Sequence, residues 1–380
     1  MLNVVAWTRL EPWRVARART DRDETVIVKW TGPHVDGRHS EAWRLCTEVA
    51  ALRFLSEDLG ADLAPRVLAE DLGVGLAPRV PAEDRPGGRI VLEELPGGRI
   101  VLEDLAPRIA LDGLLRRDGA DAHLERLTAA ARARGELGAL TAGRAEPYYR
   151  RRAALGPVDA EADRLGRVAR LRAEGVPQAE VLGAPVTGAV EHELASALEV
   201  LADPGPFLVL SNGDPEANNV LVHADGPPDA RLIDFEFAGF THALHDAVCL
   251  YVPGPAWMSV GTPAAAAQRE PADAYRRALA AGVPEAEDER RYGTALAAAC
   301  VAFALARLWR LSVLDARPAG DDSRAQLVAV LEAAARTAEA WRALPRLAGW
   351  CRRLADALRR RWPDADVDLA APAPYTPRRS

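Results

Sequence analysis

The sequence contains a single lysine, Lys29, although lysine and arginine together number 48. Asparagine is nearly as scarce, and three of its four positions, Asn212, Asn218 and Asn219, fall within one short segment. Arginine evidently serves wherever a generic surface cation is enough. A lone lysine therefore marks a place that needs a compact ammonium group, which a planar guanidinium does not replace. The clustered asparagines likewise indicate a place that needs side-chain amide groups.

Cysteine is sparse, and its four positions have no paired spacing. This argues against a structural zinc site and against a disulfide framework. Reduced thiols in the core of a cytoplasmic protein are expected at Cys46, Cys249, Cys300 and Cys351.

Long apolar runs are also missing. The N-terminus has no stretch that would serve as a signal-peptide core. The most apolar stretch, residues 295–306, is too short to span a bilayer and is followed by Arg307 and Arg310. It predicts a buried helix, and no membrane partner is expected.

The overall composition is that of a globular protein, with 49% hydrophobic and 27% charged residues. A formal net charge of −7 argues against nucleic acid as a partner, because phosphate binding usually needs a basic surface. The same charge is compatible with a cationic substrate. At 380 residues the chain is long enough for one large domain or two ordinary ones, and its oligomeric state is left open.

The first hundred residues have the pattern of a small β-rich lobe. The β-branched run TVIVKW at residues 25–30 predicts a strand, with Lys29 near its end. Residues 40–59 carry apolar side chains at helical spacing and predict an amphipathic helix that contains Glu48.

Two tandem near-duplications occupy residues 63–107. LAPRVLAEDLGVG is followed by LAPRVPAEDRPGG, and PGGRIVLEEL is followed by PGGRIVLEDL. Each IVLE run predicts a strand, and the Pro-Gly-Gly sequences are typical of turns. One copy of each unit is expected to belong to the basic architecture, and both copies remain candidates.

From about residue 111 the pattern is mostly helical and rich in alanine and arginine. Strand character returns at residues 207–210, 219–222 and 231–235, and helices resume at 243. We therefore expect an α+β protein with an N-terminal lobe at 1–105, a larger, mainly helical lobe at 106–362, and a flexible tail at 363–380.

The most informative segment for chemistry runs from residue 208 to 246. Asp214 and Asn219 lie five residues apart after one strand, and Asp234 ends a later strand. Phosphoryl transfer needs a carboxylate to orient the acceptor hydroxyl, oxygen ligands for Mg²⁺, and a cation on the nucleotide phosphates. Asp214, Asn219 and Asp234 supply the oxygen groups of such a set.

These residues carry a family resemblance. NGDPEANN resembles the H-G-D-x-x-x-x-N motif of aminoglycoside phosphotransferases and choline-kinase-like enzymes, and IDFE resembles their D-F-G or D-F-E metal motif. VIVKW and TEVAALRFL resemble the strand and helix that carry the family's phosphate-binding Lys and its Glu partner. The resemblance implies a protein-kinase-like, two-lobed fold and an enzyme that uses ATP and Mg²⁺ to phosphorylate a hydroxyl of a small molecule.

The resemblance also implies roles for the catalytic lobe. Asp214 would be the catalytic base or hydroxyl-orienting group, and Asn219 and Asp234 would bind Mg²⁺. Asp246 matches the family's next Asp only loosely, and we expect it to brace the loop near a helix start.

On the nucleotide side, the resemblance assigns Lys29 to the α- and β-phosphates and Glu48 to orienting Lys29. The adenine would lie against the linker strand at Glu103 and Leu105, or against the duplicate copy at residues 93–95.

Two departures and the duplicated strand region favour an alternative, a non-catalytic kinase-like binding protein with a degenerate nucleotide site. Asn212 stands where the family has His, and the segment before the lysine strand holds no glycine where a phosphate-covering loop is expected. A metabolite kinase for an acceptor other than an aminoglycoside is a second alternative. His242, His245 and Cys249 fit no zinc pattern, and a loop and helix start are expected there.

Overall fold

The computed structural model describes most of the chain. Residues outside it include the second copy of the LAPRV unit, the first copy of the other unit (PGGRIVLEEL) and, within the latter, the candidate adenine contact at residues 93–95. The described residues are 4–10, 14–32, 40–72, 97–253, 265–368 and 376–377.

The chain divides into two compact units. The first contains Met1–Arg108, Glu146–Val158 and Arg231–Ala238, and the second contains the remaining segments, Ile109–Ala145, Asp159–Ala230 and Gly239–Ser380.

The first unit is built on an antiparallel sheet and one long helix. Its elements up to residue 108 are β1 (Val4–Arg9), β2 (Val15–Thr20), β3 (Thr25–Trp30), α1 (Glu41–Arg53), β4 (Val67–Asp71) and β5 (Arg99–Glu103). The strands lie in the order β1-β2-β3-β5-β4. The lysine strand is therefore central, and Lys29 pairs with Val15 on one side and with Ile100 on the other.

Alternation along the central strands separates two faces of this sheet. Val26 and Val28 are buried with Ala18 and Val101 in one apolar cluster. Because successive side chains of a strand point to opposite faces, Lys29 lies on the other face, to which α1 contributes its buried side.

Helix α1 begins where the sequence pattern predicts. The hydroxyl of Ser40 accepts a hydrogen bond from the backbone N–H of Trp43, as expected of an N-cap residue. The helix then continues into a π-helical turn at Phe54–Asp58. Its buried side includes Val49, Leu52 and the carboxylate-bearing Glu48.

The remaining elements are mainly helical. In chain order they are β6 (Ile109–Ala110), α2 (Leu111–Asp118), α3 (Leu124–Thr141), α4 (Ala145–Ala153), α5 (Ala160–Arg170), α6 (Val176–Val181), α7 (Ala189–Ala202), β7 (Leu208–Ser211), β8 (Val220–Val222), β9 (Arg231–Leu232), β10 (Gly239–His242), α8 (Leu244–Ala247), α9 (Ala265–Ala280), α10 (Glu289–Ala306), α11 (Leu311–Asp315), α12 (Asp322–Ala340), α13 (Pro345–Arg361), β11 (Val367–Asp368) and β12 (Thr376–Pro377).

Two of these later segments pack with the first unit, although the sequence suggested a simple division at residue 105. On α4, the hydroxyl of Tyr148 donates to the carbonyl of Ala238, and the guanidinium of buried Arg152 donates to the hydroxyl of Thr47 on α1. The second segment, residues 231–238, contains Asp234.

The second unit has one continuous apolar core. It joins residues of α7, α10, α12 and α13 with those of β7 and α8. Together with its extension, α10 forms a stretch, Glu289–Asp315, that is long and apolar enough to cross a membrane by length and composition. Most of the apolar part of this stretch is buried inside the protein. The sequence predicts a core helix here, and burial is the environment of such a helix.

The C-terminal segment is described only in part. A 3₁₀ turn follows α13, and Val367–Asp368 pairs with Thr376–Pro377. The other residues of the expected flexible tail lie outside the described part of the chain.

Close packing of α3 against α9 gives the first prediction. A Cβ atom at Gly135 of α3 would lie 2.4 Å from the backbone oxygen of Tyr275 on α9. Backbone cannot move aside as a side-chain end can, so we expect Gly135→Ala to lower the free energy of unfolding by about 1–3 kcal/mol. Chemical denaturation would measure this change.

Gly166→Ala in α5 is the matched control, because nothing lies within 4 Å of its Cβ position. Alanine is the better helix former by about 0.8–1 kcal/mol, so this variant should be unchanged or more stable. Equal stability changes in both variants would contradict the packing argument.

Candidate active site

The lone lysine lies at the centre of a group of carboxylates in the first unit. The ammonium nitrogen of Lys29 donates to both oxygens of Glu48, at 2.7 and 2.9 Å, and to one oxygen of Asp234, at 2.9 Å. An ammonium group has three hydrogens, and these three bonds use all of them. Lys29, Glu48 and Asp234 are thus brought together from β3, α1 and the segment after β9.

Electrostatics keep Lys29 charged. Burial alone would lower the pKa of its ammonium group, but the carboxylates of Asp234 and Glu48 outweigh burial and raise that pKa above its usual range. The Glu48 side chain is only 2% exposed and is also a hydrogen-bond acceptor for the backbone N–H of Phe235. Glu48 therefore holds both Lys29 and the chain beside Asp234.

The backbone at Asp234 is unusual. Its φ of 62° lies in the left-handed region, which only glycine adopts freely and which Asp and Asn tolerate better than other residues. This conformation explains why β9 ends at Leu232, although the sequence predicted a strand to residue 235. The turn directs the half-buried Asp234 carboxylate to Lys29, and backbone strain of this kind often occurs at functional sites.

A third carboxylate extends this group. Glu236 forms an ion pair with Arg44 at 3.4 Å, and burial followed by the nearby Asp234 charge raises the pKa of Glu236. Lys29 and Arg44 thus face the three carboxyl groups of Glu48, Asp234 and Glu236. An excess of carboxylate favours a cation at this place, which fits a divalent metal bound through Asp234.

The second unit carries Asp214 and Asn219 on a single loop. Asp214 follows β7, and Asn219 ends a 3₁₀ turn just before β8. The Asn219 amide donates to the backbone carbonyl of Asp214 at 3.2 Å, and its oxygen accepts from Asn218 at 2.9 Å. An amide oxygen has two lone pairs, so one remains for a metal ion.

Among the described residues, no group of three or more His, Cys, Asp and Glu side chains lies together in a metal-binding arrangement. Mg²⁺ on a nucleotide needs only one or two protein ligands, since phosphate oxygens and water supply the others. Asp234 and Asn219 are the hard oxygen donors that the motifs predict, and each is described within its own unit.

Asn212 supports the loop that carries Asp214. It is fully buried, and its amide oxygen accepts a hydrogen bond from the backbone N–H of Asp214 at 3.3 Å. Gly213 between them has a φ of 85°, which a residue with a Cβ rarely adopts. Asn212, at the position where the motif of the resembling family has His, therefore has a scaffolding contact to the loop that carries Asp214.

Asp246 braces the same loop. Its carboxylate accepts from the Ser211 hydroxyl at 2.6 Å, and that hydroxyl oxygen accepts from the backbone N–H of Gly213 at 3.0 Å. His242 is buried, stacks on Phe207 with ring centroids 5.2 Å apart, and has its pKa lowered to about 3 by burial. These contacts agree with the loop-and-helix-start interpretation of this segment.

Sequence reasoning missed Glu216, although it lies inside the NGDPEANN motif. Its side chain is 4% exposed, forms an ion pair with Arg307 at 2.7 Å, and has a second oxygen without a hydrogen-bond partner among the described residues. Burial, and then the Asp214 charge, raises the pKa of Glu216 to about 7. The buried Arg134 also donates to the backbone carbonyl of Glu216.

The predicted adenine contacts lie after β5. Glu103 is bonded through its side chain to Arg66, and the carbonyl of Leu105 accepts from the backbone N–H of Arg108. The backbone N–H of Leu105 has no hydrogen-bond partner within the described ranges. Leu105 therefore offers a backbone donor of the kind that recognises a base edge.

No protein-family model and no curated protein sequence matches the chain. Solved structures do match it. Amicoumacin kinase hAmiN, in a complex with AMP-PNP, Ca²⁺ and Ami, shares 14% sequence identity at a TM-score of 0.52, covering 88% of this chain and 89% of that chain.

Two further matches have lower TM-scores. Ethanolamine kinase from Plasmodium vivax has a TM-score of 0.49 and 10% identity, covering 95% of this chain and 83% of that one. Aminoglycoside phosphotransferase from Alicyclobacillus acidocaldarius has a TM-score of 0.44 and 13% identity, covering 96% and 94%.

The match to the amicoumacin kinase and the architecture of the two units together identify the fold. An antiparallel sheet with one helix forms the first unit, and the second unit is mainly helical. This confirms the expected α+β, two-lobed, protein-kinase-like fold. The chain is therefore similar in fold to the aminoglycoside-phosphotransferase and choline-kinase-like phosphotransferases, as its two motifs predicted.

Proposed function

We propose that this protein is an ATP-dependent phosphotransferase that moves the γ-phosphoryl group to a hydroxyl of a small molecule. The observation that carries the proposal is the Lys29 site, where the only lysine of the chain bonds to a buried Glu on the helix and to the Asp of the D-F-E motif. Such a Lys–Glu pair beside a metal-binding Asp is the arrangement that kinases need for activity.

In this proposal the first unit binds the nucleotide. Lys29 binds the α- and β-phosphates, and Glu48 fixes the position of its ammonium group. The adenine lies against Glu103 and Leu105, where the backbone N–H of Leu105 donates to the base. Lys29 now gives all three hydrogens to carboxylates, so phosphate oxygens would take the place of the Asp234 contact.

Asp234 and Asn219 would hold Mg²⁺. When bound, the metal neutralises charge on the phosphates and so favours attack on the γ-phosphorus. The carboxylate excess around Lys29 supports a cation at Asp234, because three carboxyl groups there face two cationic side chains.

Asp214 acts on the acceptor. Its carboxylate orients the hydroxyl and accepts its proton as the oxygen attacks phosphorus. Asn212, Gly213 and Asn219 hold the backbone on either side of Asp214, which keeps the carboxylate in one position. Positioning of this kind is the main protein contribution to phosphoryl transfer.

The alternative is a non-catalytic kinase-like protein, and one observation favours it. The connection between β1 and β2, residues 10–14, has no glycine, so a backbone loop able to approach phosphates closely is not provided by the sequence. Such a protein would bind nucleotide weakly and turn nothing over. In either case we place the protein in the cytoplasm, where ATP is available.

The thermal midpoint in the presence of ATP and Mg²⁺ tests the proposal. A ligand that binds only the native state at 100 times its Kd adds about 2.7 kcal/mol of stability. We expect ATP with Mg²⁺ to raise the midpoint by several degrees, whereas ATP with excess chelator should give a much smaller rise.

An acceptor panel then separates the two candidate functions. Production of ADP that depends on one acceptor, and on its concentration, would support the enzyme. A midpoint that does not respond to millimolar ATP and Mg²⁺ would exclude a working kinase site and favour the non-catalytic alternative.

A further inference from the structure

Two arginines lie next to the catalytic loop of the second unit. Helix α10 ends at Ala306, and a 3₁₀ turn, Arg307–Arg310, connects it to α11. Side chains at positions i and i+3 eclipse each other in a 3₁₀ helix. The turn therefore places Arg307 and Arg310 on the same side, one above the other, where an α-helix would stagger them.

Only one of these two arginines forms an ion pair within the described part of the chain. Arg307 bonds to Glu216 at 2.7 Å and stacks on the ring of Phe303 at 4.2 Å. Arg310 makes no hydrogen bond or ion pair within the described part of the chain; its guanidinium lies 5.6 Å from the ring of its neighbour Trp309 and is attracted by the charge of Glu216. Burial, and then the Arg307 charge, lowers the pKa of Arg310.

A third arginine completes the group. Arg134 is 5% exposed and donates through one nitrogen to the backbone carbonyl of Glu216. Its other terminal nitrogen is buried without a hydrogen-bond partner among the described residues. Three guanidinium groups thus lie around a loop that carries two carboxylates, Asp214 and Glu216.

Asp246 braces the same loop, so the feature that points to a ligand is the donors that no described residue uses, one terminal nitrogen of Arg134 and the guanidinium of Arg310. Like charges held close together and partly removed from water destabilise each other, and a buried donor left without a partner is also destabilising. A bound oxyanion would relieve both effects, because the planar guanidinium fork matches a carboxylate or phosphate with two parallel hydrogen bonds.

We propose that Arg310, together with Arg307, binds an anionic group of the acceptor, so that the substrate is a hydroxyl compound bearing a carboxylate or phosphate. The inference rests on the proposed function, which places the reacting hydroxyl at Asp214. The net charge of the chain is compatible with a cationic acceptor, whereas the arginines beside this loop favour an anionic group on the acceptor.

Calorimetric titration with inorganic phosphate tests the site directly. The titration is done at constant ionic strength, with AMP-PNP and Mg²⁺ present so that the nucleotide phosphate sites are filled. We expect one phosphate per chain to bind to the wild type, and Arg310→Gln to weaken this binding at least tenfold. Arg310→Lys, which keeps the charge but not the fork, should lie between the two.

Arg290→Gln is the control, since Arg290 is an exposed arginine near the start of α10, the helix that precedes the turn carrying Arg310. Its phosphate affinity should equal that of the wild type. Thermal midpoints of all variants report whether the fold is intact.

Three outcomes would overturn the inference. These are the absence of saturable phosphate binding in the wild type both with and without nucleotide, equal affinity in Arg310→Gln, and phosphate binding that is seen only in a parallel titration from which AMP-PNP and Mg²⁺ are left out. The last would mean that the arginines hold a nucleotide phosphate. A separate titration of AMP-PNP and Mg²⁺ distinguishes these results from failure of the proposed function, which would appear as lack of nucleotide binding.

Discussion

Replacing Asp214 with asparagine is expected to lower kcat by about 10²–10⁴-fold, the range typical of removing a general base. The amide has nearly the same size and shape but cannot accept the proton of the attacking hydroxyl. The backbone of this loop is held by Asn212 and Asn219, not by the Asp214 carboxylate alone. Nucleotide affinity and the thermal midpoint should therefore remain close to wild type.

Acceptor-dependent production of ADP measures this prediction, with nucleotide affinity determined by calorimetry on the same samples. Asp225→Asn is the control, because it makes the same chemical change at an exposed position of the same unit. Near-wild-type turnover by Asp214→Asn would remove Asp214 from its catalytic role. A parallel loss of nucleotide binding would instead assign it to the nucleotide site.

Replacing Asp234 with asparagine is expected to abolish the Mg²⁺-dependent part of ATP binding. Even residues that only support metal ligands typically contribute 10–100-fold to metal affinity, so removal of a ligand charge should weaken binding of ATP with Mg²⁺ by at least about 100-fold. Asparagine is preferred to alanine here because it tolerates the left-handed backbone of Asp234. The effect then reports on charge, without added backbone strain.

Asp23→Asn is a close control for this variant. Asp23 has a φ of 61°, almost the same as that of Asp234, but its side chain is 84% exposed and lies in the turn between β2 and β3. The thermal midpoint with ATP, with and without Mg²⁺, should respond as in wild type for Asp23→Asn and lose its metal dependence for Asp234→Asn. Retention of the full response in Asp234→Asn would show that the metal is bound elsewhere.

Lys29 shows how composition can identify a site. In a chain that uses arginine almost everywhere, the retained lysine proved to lie between two carboxylates, with its three hydrogens all engaged. A guanidinium is larger and planar, and it could not direct three donors from one nitrogen to Glu48 and Asp234. The physical reason for the exception is thus the geometry of a compact cation.

Local sequence patterns predicted several elements closely. The β-branched run TVIVKW forms β3 over the same residues, and the apolar periodicity at residues 40–59 forms α1 with its π-helical extension. Another pattern was overlooked. In β2, Ala16, Ala18 and Thr20 are buried while Arg17 and Arg19 are exposed, an alternation that is typical of a half-buried strand.

The sequence by itself determined the identity and order of the motif residues, because the spacing from Asp214 to Asn219 and the D-F-E segment are local properties of the chain. The tertiary structure alone decided that Asp234 bonds to Lys29, 205 residues away, and that Arg307 bonds to Glu216, 91 residues away. It also decided that residues 146–158 and 231–238 pack with the first unit. Such contacts depend on how packed elements bring distant segments together, and no local periodicity encodes them.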